Sequence, residues 1–265
     1  MTQYWPFSGL IRYGALRERL IVSLDTLDRR QALALVDRLA RMVGMFRVGR
    51  ALFVGGGTDF IREIRRRGAE VFLDLRFHDT PHKVVRAATE ATRLGVRMFD
   101  IHSYGSVALM SRVRTEIVRL CRTEGLRRPQ ILAVAMVAGL PSLRAKRKPA
   151  GAVDGVLELA KTAADASLDG VYTAAQEVAR VRAECGRRFI IVTTGVQLRD
   201  SLTPGPHCIT AADVVRAGAD YIVVGGSAWR ASEPVRALRE ITEGIERGLR
   251  LPSRGGLELI SSRPQ

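Results

Sequence analysis

The chain is expected to fold as a single-domain α/β protein, a (β/α)8 TIM barrel, and three observations carry that expectation. A cycle of short apolar strand, turn and amphipathic helix repeats eight times between Leu20 and Leu249. The length of 265 residues matches the roughly 250 typical of that fold. No shift of composition marks a boundary between two halves. An open doubly wound sheet usually has fewer strands.

The elements follow in order. Leu20 to Leu24 reads as the first strand, closed by Asp25, and Arg29 to Met42 as its helix, with Leu33, Val36, Leu39 and Ala40 on one face. Met45 to Val48 is the second strand and carries Arg47; Gly55 to Asp59 is expected to turn the chain into a helix ending near Arg67, where Gly68 supplies a left-handed stop. Val71 to Leu75 is the third strand, and Pro81 suits the first turn of the following helix, where a missing N–H is harmless. Met98 to Ile101 leads through His102 and Gly105 to a helix running to about Arg122, and Ile131 to Val137 is the fifth strand. Ala138 to Gly151, with Arg144, Lys146, Arg147 and Lys148, reads as an exposed basic lid before a helix over Val153 to Ser167. Gly170 to Tyr172 and Phe189 to Val192 are the next strands, with a helix over Ala174 to Cys185 between them. A proline-containing loop, Val196 to Cys208, precedes a helix over Ala211 to Ala217, strand Tyr221 to Val224 and a last helix over Glu233 to Leu249. Residues 1–19 form an N-terminal extension to a domain ending near 251, and 252–265 read as a flexible tail.

Composition bounds the function. The hydrophobic fraction of 46% fits a globular core, and no apolar run reaches the roughly 18 residues that cross a bilayer. No membrane association is expected, and the mixed charges of Met1 to Leu20 lack a signal-peptide core, so a cytoplasmic location is expected. Cys121, Cys185 and Cys208 are too scattered for a disulfide framework or a zinc site. His78 and His82 have a metal-like spacing that Pro81 interrupts, so no metal is expected. The net charge of +15 suits an anionic partner. A nucleic acid is the weaker choice, because the basic residues lack interleaved aromatics, and a phosphorylated small molecule is the stronger one. Only Lys83, Lys146, Lys148 and Lys161 among the 42 basic residues are lysine.

In a barrel the loops after the strands share one mouth. Asp25, Arg47, Asp74, Arg76, Asp79, His102, Gly195 and Gly226 are therefore expected to face one cavity. Between Leu20 and Leu249 the chain resembles the orotidine 5'-phosphate decarboxylase family. That family carries Asp-x-Lys-x-x-Asp followed by Ile-Pro-Asn-Thr, where this chain has Asp74-Leu-Arg76-Phe-His-Asp79 and Thr80-Pro81-His82-Lys83. Leu24-Asp25, Phe46-Arg47-Val48-Gly49, Ile101-His102, Ala174 to Glu177, Thr193-Thr194-Gly195 and Ala217 to Gly225 match it as well.

The resemblance implies decarboxylation of orotidine 5'-monophosphate to uridine 5'-monophosphate, in pyrimidine biosynthesis, without metal or organic cofactor. It implies catalytic roles for Asp74, Arg76 and Asp79, with Asp25 and Arg47 on the ribose side. It also implies a homodimer in which Asp79, Thr80 and Lys83 reach into the partner's site. His102 is a candidate ligand contact or a packing residue, and Gln197 is the one glutamine available near the phosphate. Gly195, Gly225 and Gly226 offer backbone N–H groups to an anion, with Arg199, Arg230 or the Lys146 to Lys148 lid as sources of further charge.

The chain departs from the family pattern in placing Arg47 and Arg76 where that pattern has lysine, Val137-Ala138 where it has Thr-Ser, and Gly226 where it has arginine. An arginine keeps the cation but is a poor proton donor. Two readings therefore stand at this point: the family reaction with Arg76 in the lysine position, and a diverged paralogue that binds or transforms another phosphorylated or anionic metabolite. The residues alone favour the second and the resemblance favours the first. For Asp74, Arg76 and Asp79 a purely structural ion-pair network at the barrel mouth is the competing explanation.

Overall fold

The computed structural model describes residues 16–25, 28–103, 105–135, 155–196, 209–229 and 233–250. Eight parallel strands close on themselves in sequence order: β1 (Leu20–Ser23), β2 (Met45–Gly49), β3 (Glu70–Phe77), β4 (Met98–His102), β5 (Gln130–Ala135), β6 (Gly170–Ala174), β7 (Ile190–Thr194) and β8 (Tyr221–Val224). Closure runs through β1 and β8, where Leu20 pairs with Ile222 and Val22 with Val224. The expected (β/α)8 barrel is the observed one.

The strands are Val- and Ile-rich and almost wholly buried because helices cover their outer faces while side chains fill the interior. Ile21, Met45, Phe72, Met98, Leu132, Tyr172, Val192 and Val223, one from each strand, form the packed floor inside the barrel. Fully burying such a side chain stabilises the fold by about 1.5–3 kcal/mol. The alternate residues of the strands join the larger core against the helices.

The helices that position the mouth are α1 (Arg29–Leu39), α2 (Arg50–Arg66), α3 (Pro81–Arg93), α4 (Val107–Glu124), α5 (Gly155–Asp165), α6 (Val178–Cys185), α7 (Ala211–Ala217), the short α8 (Gly226–Trp229) and α9 (Pro234–Arg250). Helix α1 begins in a capping box, with the Gln31 N–H donating to Asp28 Oδ1 at 2.7 Å and the Asp28 N–H to Gln31 Oε1 at 3.2 Å. Pro81 stands in the first turn of α3, as expected. The glycine run does not open the second helix. That helix starts at Arg50, directly after β2, and only Gly57 leaves helical geometry, at φ 64 and ψ −166. Gly56 stays helical under Phe60, whose Cβ lies 2.7 Å from where a Gly56 side chain would begin. The expected helix over Ala174 to Cys185 is a 3-10 turn, Ala175–Glu177, followed by α6. The basic lid lies outside the described residues.

At the amino-terminal end of the strands, two aspartates tie neighbouring strands together. Asp169 accepts from the Ile131 N–H at 2.8 Å and pairs with Arg128 at 2.6 Å. Asp220 repeats the device, accepting from the Ile191 N–H at 2.8 Å and from Arg182 at 2.7 Å. Arg182 also donates to the Gly218 carbonyl at 2.7 Å.

Candidate active site

Side chains on a strand return to the same face every second residue. Two positions beyond the floor, the inward face therefore carries Ser23, Arg47, Asp74 and Asp100 from β1 to β4, and Val134, Ala174, Thr194 and Gly225 on the other half. Two further along, β3 and β4 present Arg76 and His102. All of this lies at the carboxyl end of the strands, where barrel loops assemble reactive sites.

Arg47 is the centre of the charged half. Its Nε donates to Asp74 Oδ2 at 2.6 Å and its Nη1 to the Ser23 hydroxyl at 2.8 Å; it also pairs closely with the Asp25 carboxylate. Asp25 is held in turn by the Gly49 N–H, which donates to Oδ1 at 3.1 Å, and by the Ser23 hydroxyl at 3.1 Å. The Arg76 Nε donates to the other oxygen of Asp74 at 3.2 Å. Asp25, Arg47, Asp74 and Arg76 thus form one line of alternating charge. The guanidinium of Arg47 also lies 5.7 Å from the Tyr172 ring centroid, a cation–π distance.

Arg76 reaches Asp74 from an unusual backbone. Its φ is 52, in the left-handed region, and the pairing of β3 with β4 shifts register between Leu73 and Phe77. Such a conformation costs a non-glycine residue about 1–3 kcal/mol and persists where neighbours over-determine it. Asp100, fully buried on β4, is that neighbour: its Oδ1 accepts the Arg76 N–H at 2.7 Å.

The electrostatics follow from this packing. Burial pulls the Arg47 pKa down, but the influence of Tyr172 and then of Asp74 and Asp25 outweighs it, so Arg47 stays a firm cation. For Asp74, burial acts upward and loses to the neighbouring Asp100 carboxyl group and then to the charges of Arg47 and Arg76, which hold it below the usual carboxylate range. Burial, then the charge of Asp74, pushes Asp100 well above that range. Burial, followed by His78, Arg76 and Arg50, lowers His102, which favours its neutral form.

The other expected site residues divide. Asp79 does not join the line. Its side chain is 46% exposed, its Oδ1 accepts the Thr80 N–H at 2.6 Å, and Lys83 pairs with it at 3.3 Å one helical turn on. Asp79, Thr80 and Lys83 form a separate exposed group at the start of α3, because the chain turns outward after Phe77. His102 faces His78 with ring centroids 4.8 Å apart, while His82 contacts the Thr80 hydroxyl. Gly195 (φ 88) and Gly225 end β7 and β8 with open space where a side chain would stand, and Gly226 begins α8. Gln197, Arg199, Arg230 and Lys146 to Lys148 lie outside the described residues.

Sequence reasoning missed Ser23, Asp100, Tyr172 and Trp229. The Trp229 indole N–H donates to the Ser23 carbonyl at 3.0 Å and fastens α8 to β1. The signal for Asp100 was present: a carboxylate between Phe99 and Ile101, in step with Met98 and His102 on the inward face.

Gly49 makes the close approach of Asp25 possible. A Cβ there would stand 2.3 Å from Asp25 Oδ1. Gly49→Ala is expected to push this carboxylate off Arg47 and cost about 1–3 kcal/mol. Urea unfolding checks it, and the cost should shrink when the same change is made in an Asp25→Ala background.

Fold and site define a (β/α)8 barrel protein with an ion-paired cluster at the carboxyl ends of its strands. The family model for orotidine 5'-phosphate decarboxylase / HUMPS matches residues 18–241, and the chain belongs to this family. It is 38% identical to the orotidine 5'-phosphate decarboxylase of Syntrophus aciditrophicus, over 88% of this chain and 94% of that one. With the protein of the same description from Syntrophotalea carbinolica it shares 39% identity, over 88% and 97% respectively. The crystal structure of orotidine 5'-phosphate decarboxylase from Lactobacillus acidophilus matches the fold with a TM-score of 0.72 at 27% identity, covering 85% of this chain and 98% of that one. Among the described residues no helix is long and apolar enough to cross a membrane.

Proposed function

We propose that the chain decarboxylates orotidine 5'-monophosphate to uridine 5'-monophosphate. The observation that carries this reading is the alternating line Asp25, Arg47, Asp74, Arg76 at the barrel mouth, in a chain whose relatives bear the name of that enzyme. They favour this reading over a diverged paralogue, for which they offer no support.

Asp74, held ionised and buried, faces the departing carboxylate and disfavours its ground state. The bond from C6 to the carboxylate breaks, carbon dioxide leaves, and the electron pair remains on C6. Arg76 is the fixed cation beside that charge. A proton ultimately drawn from water then closes C6, since arginine keeps its own. Asp25 and Arg47 bind the ribose side, and the N–H groups around Gly195, Gly225 and Gly226 meet the phosphate. The exposed group Asp79, Thr80 and Lys83 acts across a homodimer interface, and a cytoplasmic location suits a nucleotide substrate.

Purified protein is expected to release carbon dioxide from orotidine 5'-monophosphate at roughly 1 to 10³ per second, the ordinary range for enzymes. Wild-type inactivity together with turnover by an Arg47→Lys, Arg76→Lys double variant would sink the reading in favour of a diverged function.

A further inference from the structure

Among the described residues, the most deeply buried carboxyl group stands outside the charged line. Asp100 is fully buried, with Asp74 and Arg76 facing it from β3 and the apolar Leu132 and Val134 on neighbouring β5. Among the described residues, Tyr172 of β6 also feels its charge, and His102 stands two positions further along its own strand. One oxygen accepts the Arg76 N–H at 2.7 Å. The other is buried without a donor, and the group that this side chain meets is the Asp74 carboxylate. Two ionised carboxylates offer only acceptors and repel each other, whereas one proton between them makes a hydrogen bond. Asp74 already accepts from Arg47 and Arg76, so the proton belongs on Asp100.

We propose that Asp100 is a positioning residue for the charged line. As a neutral acid it donates to Asp74, and through the Arg76 N–H it pins the left-handed bulge that aims the Arg76 guanidinium at Asp74. The raised pKa of Asp100, caused by burial and then by Asp74, agrees with this division of roles.

The test compares wild type, Asp100→Asn and Asp100→Ala. Asparagine keeps an acceptor for Arg76 and a donor for Asp74 but has no proton to lose. In the wild type, native Asp100 holds a proton that the unfolded chain releases above about pH 4. The unfolded state then binds fewer protons, so wild-type stability declines as pH rises toward the folded pKa. The Tm of Asp100→Asn minus that of the wild type is therefore expected to grow by roughly 4 °C or more between pH 4 and pH 8. A flat or falling difference, as for an ionised Asp100 paired with Arg76, overturns the neutral-acid role.

The second measure rests on the decarboxylase reading. On orotidine 5'-monophosphate, Asp100→Ala is expected to lower kcat about 100-fold with KM changed by no more than a few-fold, as for a misplaced catalytic group. Asp100→Asn should recover at least about tenfold of that loss, and equal losses in the two variants overturn the positioning role. If the alanine variant does not fold, the asparagine Tm series still decides. If the wild type itself turns over no substrate, the decarboxylase reading fails while the Tm comparison stands.

Discussion

Asp74→Ala is expected to lower kcat for orotidine 5'-monophosphate by more than about 1000-fold and to leave the protein folded but less stable. The carboxylate is the one group bonded to both cations of the line, to Arg47 at 2.6 Å and to Arg76 at 3.2 Å. Its side chain is 1% exposed, so water screens these contacts little. Preorganised charge in such a site contributes about 10²–10³ per group, and here one deletion also releases two guanidinium groups from their positions. Single-turnover rates measure the effect, and near-normal turnover in the variant would refute a chemical role for Asp74. Asp74→Asn separates charge from shape, since the amide fills the same space without a negative charge. It should be as inactive as the alanine variant.

Arg47→Met is expected to destabilise the fold by about 3–5 kcal/mol, the loss typical of breaking one side of a buried ion pair. Methionine fills the volume beside the Tyr172 ring, but Asp74 keeps only Arg76 as a cation, Asp25 loses its cation while keeping the Gly49 N–H and Ser23 hydroxyl bonds, and the Ser23 hydroxyl loses its donor. Arg47→Lys should cost less, about 1–2 kcal/mol. An ammonium supplies the charge but not the planar fork that reaches three acceptors at once. Chemical denaturation of both variants checks the order. A methionine variant as stable as the wild type would mean that the network is energetically neutral.

The fold was legible because its signal, a short apolar strand followed by an amphipathic helix, is repeated eight times. Tyr221–Val224 and Ala211–Ala217 agree residue for residue with expectation, since their neighbours are a glycine on one side and a polar turn on the other. The glycine run misled because flexible residues were read as a break, whereas Phe60 over Gly56 and the strand end at Gly49 fix the helix from outside the run. For the site, Asp25, Arg47, Asp74 and Arg76 were legible as charges at strand ends. Their order of contact was not, because the bulge at Arg76 depends on a side chain 24 positions away. Asp79 shows the converse: spacing along the chain suggested a shared cavity, but the turn after Phe77 directs it to solvent and to Lys83.

The paired aspartates at the opposite end of the strands, Asp169 with Arg128 and Asp220 with Arg182, have a bearing on how this protein tolerates change. A strand of five residues such as β6 or β7 spans about 16 Å, beyond the roughly 7–10 Å within which substitutions influence one another. Strengthening or weakening the lower ties should therefore move the melting temperature while the charged line keeps its geometry. Stability in this barrel is thus expected to be adjustable from the lower end of the strands without disturbing the charged line at their upper end.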